Sequence, residues 1–249
     1  MNQFRWFFCV VVVSGLVTSG KAQFIYSGGH GDIGVGYDEV SNEFEPHWHL
    51  DAGAIVDGSP LTTEEEYEPG DMNARTSTTR NSPSGLNSII GVADGSTIYA
   101  MGSATFPPNL GLSTEELTGS DWIGNVTISL TNWTLPTATA DFALFTTNLA
   151  GTTVVDRLFS THSPGSTDFS NGIPLVVGDH AHFDWGFTEL GTYEFEFTWT
   201  GTHVIDGAIS TPGTFSVEVV PEPSAVVLLG LGMTSILAIR RRLNQSRSK

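Results

Sequence analysis

The chain has 249 residues, 39% hydrophobic and 15% charged, with a formal charge of −17, ten basic residues against 27 acidic ones. That balance excludes a nucleic-acid binder, because phosphates need Lys and Arg to neutralise them. The only cysteine is Cys9, near the start of the chain, so the rest has no disulfide, thiol ligand or cysteine nucleophile.

Residues 1–22 read as a secretory signal. Arg5 supplies a positive start, Trp6 to Val13 is an unbroken apolar run, and Gly20-Lys21-Ala22 offers small residues for cleavage after Ala22. The run is too short to span a bilayer. Cys9 lies too early in it for lipidation. The segment after it, residues 23–220, reads as one acidic ectodomain. All 27 acids fall between Asp32 and Glu222, where the only cations are Arg75, Arg80 and Arg157, leaving −24 and no lysine. Such a surface repels anionic lipid and concentrates cations.

Residues 24–60 are rich in glycine and histidine, 62–71 form an acidic loop, and 72–95 read as an irregular polar connection. From there strands are expected at 97–101, 126–130, 142–145, 152–159 and 214–220, each short, β-branched or aromatic, and bounded by turn residues. Ser113-Thr114-Glu115-Glu116 is a helix-cap signal. No long segment of helical period occurs between the termini, so the expected class is all-β, an antiparallel β-sandwich or jelly roll.

The strongest local pattern runs from His180 to His203. Phe183, Trp185 and Phe187 alternate with His180, His182 and Asp184; beyond Glu189-Leu190-Gly191, Tyr193, Phe195, Phe197 and Trp199 alternate with Glu194, Glu196 and Thr198. Period two puts the seven aromatics on one buried face. The simplest arrangement is a hairpin of 180–188 with 191–203. Asp184 would then oppose Glu196, a repulsion relieved by a cation or protonated histidines.

The seven histidines are clustered. His47-Trp48-His49-Leu50-Asp51 and His180-Ala181-His182-Phe183-Asp184 share the pattern His-x-His-x-Asp, and His30-Gly31-Asp32 is a shorter version. On a strand, positions i and i+2 face one way, so both imidazoles of a pair can reach one ion. Imidazole with carboxylate suits zinc best and also manganese, iron or copper; a calcium site needs no imidazole. The expected ligands are His30, His47, His49, His180, His182, Asp184 and His203, with at least three of the first five sharing one site. His162, in a Ser/Pro/Gly loop, reads as an ordinary surface histidine. No Gly-x-Ser-x-Gly, His-Glu-x-x-His or phosphate-binding glycine loop is present. Two Asn-x-Thr sequons, at Asn125 and Asn132, match the glycosylation acceptor pattern, too short a motif to carry weight alone.

At the C-terminus, Pro221-Glu222-Pro223 precedes an uncharged stretch, 224–239, and then Arg240-Arg241-Arg242. As a helix of 1.5 Å per residue the stretch spans roughly 24 Å, a short transmembrane segment with the arginines inside. This order resembles the PEP-CTERM sorting signal of Gram-negative bacteria, which implies an exosortase-type sorting protease as partner and passage through the inner membrane. The segments 26–35, His47/His49 and 178–193 resemble PEP-CTERM proteins repressed by the zinc uptake regulator. They are also similar to the choice-of-anchor M surface domain. These resemblances imply a surface protein of zinc starvation that captures zinc for uptake. Three readings stand: a non-catalytic metal-binding surface protein, with metal-uptake components as partners; an exopolysaccharide or biofilm-matrix adhesion module with structural metal; and a secreted metal-dependent hydrolase. Four or more protein ligands favour holding the metal, three plus water favour hydrolysis.

Overall fold

The computed structural model describes residues 23–222, so the signal segment 1–22 and the stretch 224–239 lie outside the described residues. Within 23–222 the protein is mostly β, with a few single-turn helical segments. Among the described residues no helix is long and apolar enough to cross a membrane.

Three sheets surround one main core. The large sheet has eight strands in the order Ile173–Leu175, Val126–Thr134, Gly191–His203, Gly207–Val219, Met72–Thr76, Phe24–Gly28, Ile55–Val56 and Ser59–Pro60. The second has five: His180–His182, Asn109–Ser113, His30–Asp38, Glu43–Leu50 and Glu65–Tyr67. The third also has five: Val154–Ser160, Phe142–Thr147, Asp184–Phe187, Thr97–Met101 and Thr79–Asn81. Most pairings are antiparallel. Met72–Thr76 runs parallel to both of its neighbours, and His30–Asp38 parallel to Asn109–Ser113.

The second and third sheets together cover the large one. Trp48 of the second sheet meets Phe215 of the large sheet at 5.1 Å, and Phe142 of the third meets Phe195 at 4.3 Å. The Trp185 indole N–H donates to the Leu110 carbonyl at 3.1 Å, tying the third sheet to the second. A smaller core of Leu86, Ile89, Ile90, Ile98, Ala143, Phe145 and Val154 lies beneath the helical turn Asn87–Ile90.

The segment 72–95, read as irregular, contributes a central strand of the large sheet. Met72, Ala74 and Thr76 face inward and Asn73 and Arg75 are half-buried, a period-two pattern carried by residues too small and polar to announce it. The acidic loop holds the edge strand Glu65–Tyr67. Ser113–Glu116 begins no helix: the Ser113 hydroxyl accepts the Glu115 N–H at 3.0 Å and the chain turns instead.

The aromatic pattern holds, but not the hairpin. All seven aromatics are buried. Yet His180–His182 pairs with Asn109–Ser113, Asp184–Phe187 pairs with the third sheet, and Gly191–His203 lies in the large sheet between Val126–Thr134 and Gly207–Val219. The two halves therefore face each other across the core, Phe187 meeting Tyr193 at 4.9 Å and Trp185 meeting Phe197 at 6.2 Å. The Tyr193 hydroxyl fixes the corner by donating to the Glu189 carbonyl at 3.0 Å and accepting its N–H at 3.1 Å. Asp184 is opposite Phe145 and Glu196 opposite Thr214, so the expected carboxylate repulsion does not arise. Alternation fixes which face of a strand is buried, not which strand it pairs with.

Candidate metal centre

The outer face of the second sheet gathers five histidines. Ile33 and Val35, Trp48 and Leu50, and Leu110 and Leu112 point into the core. Period two then turns His30 and Asp32, His47 and His49, and His180 and His182 to the other side. The register aligns them: His182 is opposite Gly111, Gly111 opposite Asp32, and Asp32 opposite His49.

Glycines form the floor. A Cβ on Gly111 would strike the Asp32 carboxylate, and one on Gly34 would come within 3.0 Å of His47 Nε2. A side chain at either position would fill the trough that the histidines border.

His30, His180 and His182 form one group, with a ring nitrogen of each within 4.8 Å of the others. His30 Nε2 and His182 Nε2 are 2.8 Å apart, and His30 Nδ1 is 3.1 Å from the Asp51 carboxylate. Burial, then the charges of His30 and His180, push the His182 pKa down to about 4. Its imidazole is therefore neutral at neutral pH, as ligation requires. Burial also lowers His180, but the hydrogen bond from its Nδ1 to Glu115 at 2.7 Å and the charge of Asp32 outweigh it, so the net shift is upward.

Asp32 lies beneath this group, 1% exposed. Its Oδ1 has no hydrogen-bond partner, nor have Nδ1 of His30 and Nδ1 of His182. Burial pushes the Asp32 carboxyl up against the pull of His30 and His180. Asp32, Glu115 and His180 also bring ligand atoms within 4.8 Å of one another, so Asp32 joins the first group through His180. A buried carboxylate oxygen without a partner is costly unless something positive meets it.

His47 and His49 lie on the neighbouring strand, and Glu116 bridges them: its Oε1 is 2.6 Å from His47 Nε2 and 3.2 Å from His49 Nδ1. Hydrogen bonding to Glu116, set against burial, raises the His49 pKa to about 9. Burial raises the Glu116 carboxyl, but the two imidazoles more than reverse this and hold it at about 2.

Residues 219–242 match the PEP-CTERM protein-sorting motif. No curated protein and no solved structure matches the chain significantly. The sorting motif implies an exported protein, recognised by exosortase and displayed at the cell surface. Its first residue, Val219, is also the last of the Gly207–Val219 strand, so the motif starts on the folded ectodomain itself. Val220 N–H still donates to the Thr76 carbonyl at 2.9 Å, and the Glu222 carboxylate accepts from Thr79 at 2.8 Å.

Two residues expected as ligands are placed elsewhere. Asp184 is on the third sheet, where it pairs with Arg80 at 2.8 Å and accepts from Thr147 at 2.8 Å. The chain crosses from one sheet to the next between His182 and Asp184, which breaks the His-x-His-x-Asp continuity. His203 contacts Asp206 at 2.5 Å and packs on Tyr37. Tyr37 is seven residues along its strand from His30, about 23 Å at strand rise. His162 meets Asp141 at 3.0 Å, apart from the cluster. Glu115, Glu116 and the Asp51–His30 contact were missed. The two glutamates fall where the sequence signals a helix cap, and Asp32, though part of the short His30-Gly31-Asp32 pattern, was not among the expected ligands.

Proposed function

We propose that this surface protein binds a divalent ion of the zinc class at His30, His180 and His182, with Asp32 beneath them, and that its role is to capture or hold metal without catalysis. The observation that carries the reading is the convergence of three imidazoles, one of which, His180, is also grouped with Asp32, a buried carboxylate whose Oδ1 has no partner. Nitrogen-rich ligation with one carboxylate suits zinc. Asp32, joined to the three imidazoles through His180, would be the fourth ligand that favours holding the ion over leaving a position for reactive water. The −24 span raises the local cation concentration, and the resemblance to zinc-regulated surface proteins agrees with a role in acquisition. Export is through the signal segment, with residues 224–239 as a transient inner-membrane anchor during sorting.

The test is elemental analysis of the exported chain, purified without a histidine tag and dialysed against zinc, manganese or calcium. At least one equivalent of zinc is expected to remain, and His30→Ala/His182→Ala should lose one equivalent. No retained zinc, or an unchanged content in that variant, would sink the assignment.

A further inference from the structure

The histidine face has a second corner that the first site does not use. His182 and His49 stand at the ends of one cross-strand row, three strand spacings apart, roughly 14 Å at 4.7–4.9 Å per spacing. One zinc ion binds at about 2.0–2.1 Å and cannot serve both ends. Ligand atoms close up within each group, and the 4.8 Å circle around His47, His49 and Glu116 includes none of the first three histidines.

We propose that His47, His49 and Glu116 form a second, separate site for a divalent cation of the zinc class, so that each chain holds two ions. Three features support it. The His47 Nδ1 lies 2.8 Å from the Glu45 carbonyl, which can accept only from an N–H. That fixes the proton on Nδ1 and leaves the Nε2 lone pair of the neutral ring aimed at Glu116 Oε1, 2.6 Å away. Two acceptors that close need a cation between them, either a proton or a metal ion. Secondly, Gly34 and Gly36 keep the floor open: a Cβ on Gly36 would lie 3.0 Å from Glu116 Oε2. Thirdly, the carboxylates are firmly mounted. The Thr114 hydroxyl donates to the carbonyls of Val176 and Asp179, and its own carbonyl accepts the N–H of Leu117 in a tight turn. That turn directs Glu115 to His180 and Glu116 to His47 and His49. Two adjacent glutamates thus serve two different histidine groups.

This inference rests on the same chemistry as the first site but not on its occupancy, and the two separate by stoichiometry. Zinc is titrated calorimetrically into the untagged, metal-stripped exported chain. Two equivalents are expected for wild type and one each for His47→Ala/His49→Ala and His30→Ala/His182→Ala. None is expected for the quadruple variant. Glu116→Gln keeps both imidazoles, and should weaken the second equivalent at least tenfold while leaving the first unchanged; it serves if the double variant fails to fold. A single wild-type equivalent abolished by either pair of substitutions would overturn the second site and leave metal binding standing. Two equivalents persisting in His47→Ala/His49→Ala would overturn the placement, and no zinc uptake by wild type would overturn both readings.

Discussion

Replacing Asp184 by Asn should destabilise the protein without touching its metal uptake. The Arg80 and Asp184 side chains are 7% and 15% exposed and meet at 2.8 Å. Removing one charge of a buried pair costs about 3–5 kcal/mol, because the other is left without compensation. Arg80 keeps its bond to the Gly151 carbonyl at 2.6 Å and its place over the Phe106 ring at 4.6 Å. These remaining contacts put the expected cost near the lower end, about 3 kcal/mol. For a chain of this size that lowers Tm by about 6–12 °C. The assay is thermal and urea unfolding of wild type, Asp184→Asn, Arg80→Met and the double variant, all in chelator. The double variant should recover part of the loss, since no unpaired charge remains. A Tm within a degree of wild type for Asp184→Asn, or a loss of bound zinc with stability intact, would refute the structural role given to Asp184.

Trp185→Ala should cost about 3–5 kcal/mol, since the ring is fully buried between the sheets. Trp185→Phe should cost about 1–2 kcal/mol, reflecting the lost bond to the Leu110 carbonyl. Urea denaturation separates the two. In metal-free protein the His49–Glu116 contact sets a pH window. His49 is raised from 6.5 to about 9, so its contribution is complete below pH 6.5 and fades as pH rises through 9. Glu116 is lowered from 4.5 to about 2, so its contribution is complete above pH 4.5 and fades as pH falls through 2. The Tm advantage of wild type over Glu116→Gln should therefore be greatest between pH 4.5 and 6.5, and a difference that is flat up to pH 9 would contradict the coupling. Replacing Pro221-Glu222-Pro223 by alanines should leave export intact and block C-terminal processing; mass spectrometry showing an unchanged mature mass would count against it.

The β class and the buried aromatic face were legible because alternating Phe, Trp and Tyr can satisfy only one pleated geometry. Pairing was not legible. Phe183 to Phe187 and Tyr193 to Trp199 supply the same inward pattern whether they form a hairpin or face each other across a core, and the corner between them is held by the Tyr193 hydroxyl on the Glu189 backbone, which alternation does not reveal. The Met72–Thr76 strand was missed because Asn, Ala, Arg and Thr give no apolar signal, although the strand is central in its sheet. For the candidate site, spacing identified the histidines and the strand periodicity that aligns them. Their division into two groups could not be read, since it follows from the order of strands in the second sheet. The carboxylates were least legible. In a chain with 27 acids, nothing local distinguishes Glu116 from its neighbours, and only the turn held by Thr114 brings it to His47.

The most direct test of metal binding at His30, His180 and His182 is the zinc dependence of thermal stability in wild type and His180→Ala/His182→Ala. An ion bound only by the folded state at 100 times its Kd adds about 2.7 kcal/mol per site, or about 5–11 °C for a protein of this size. The double variant should fold, because both side chains lie on the outer face of the sheet, and its zinc-induced rise should be smaller than that of wild type by that amount. A wild-type Tm that is the same in zinc and in chelator, or an equal rise in the variant, would contradict the account.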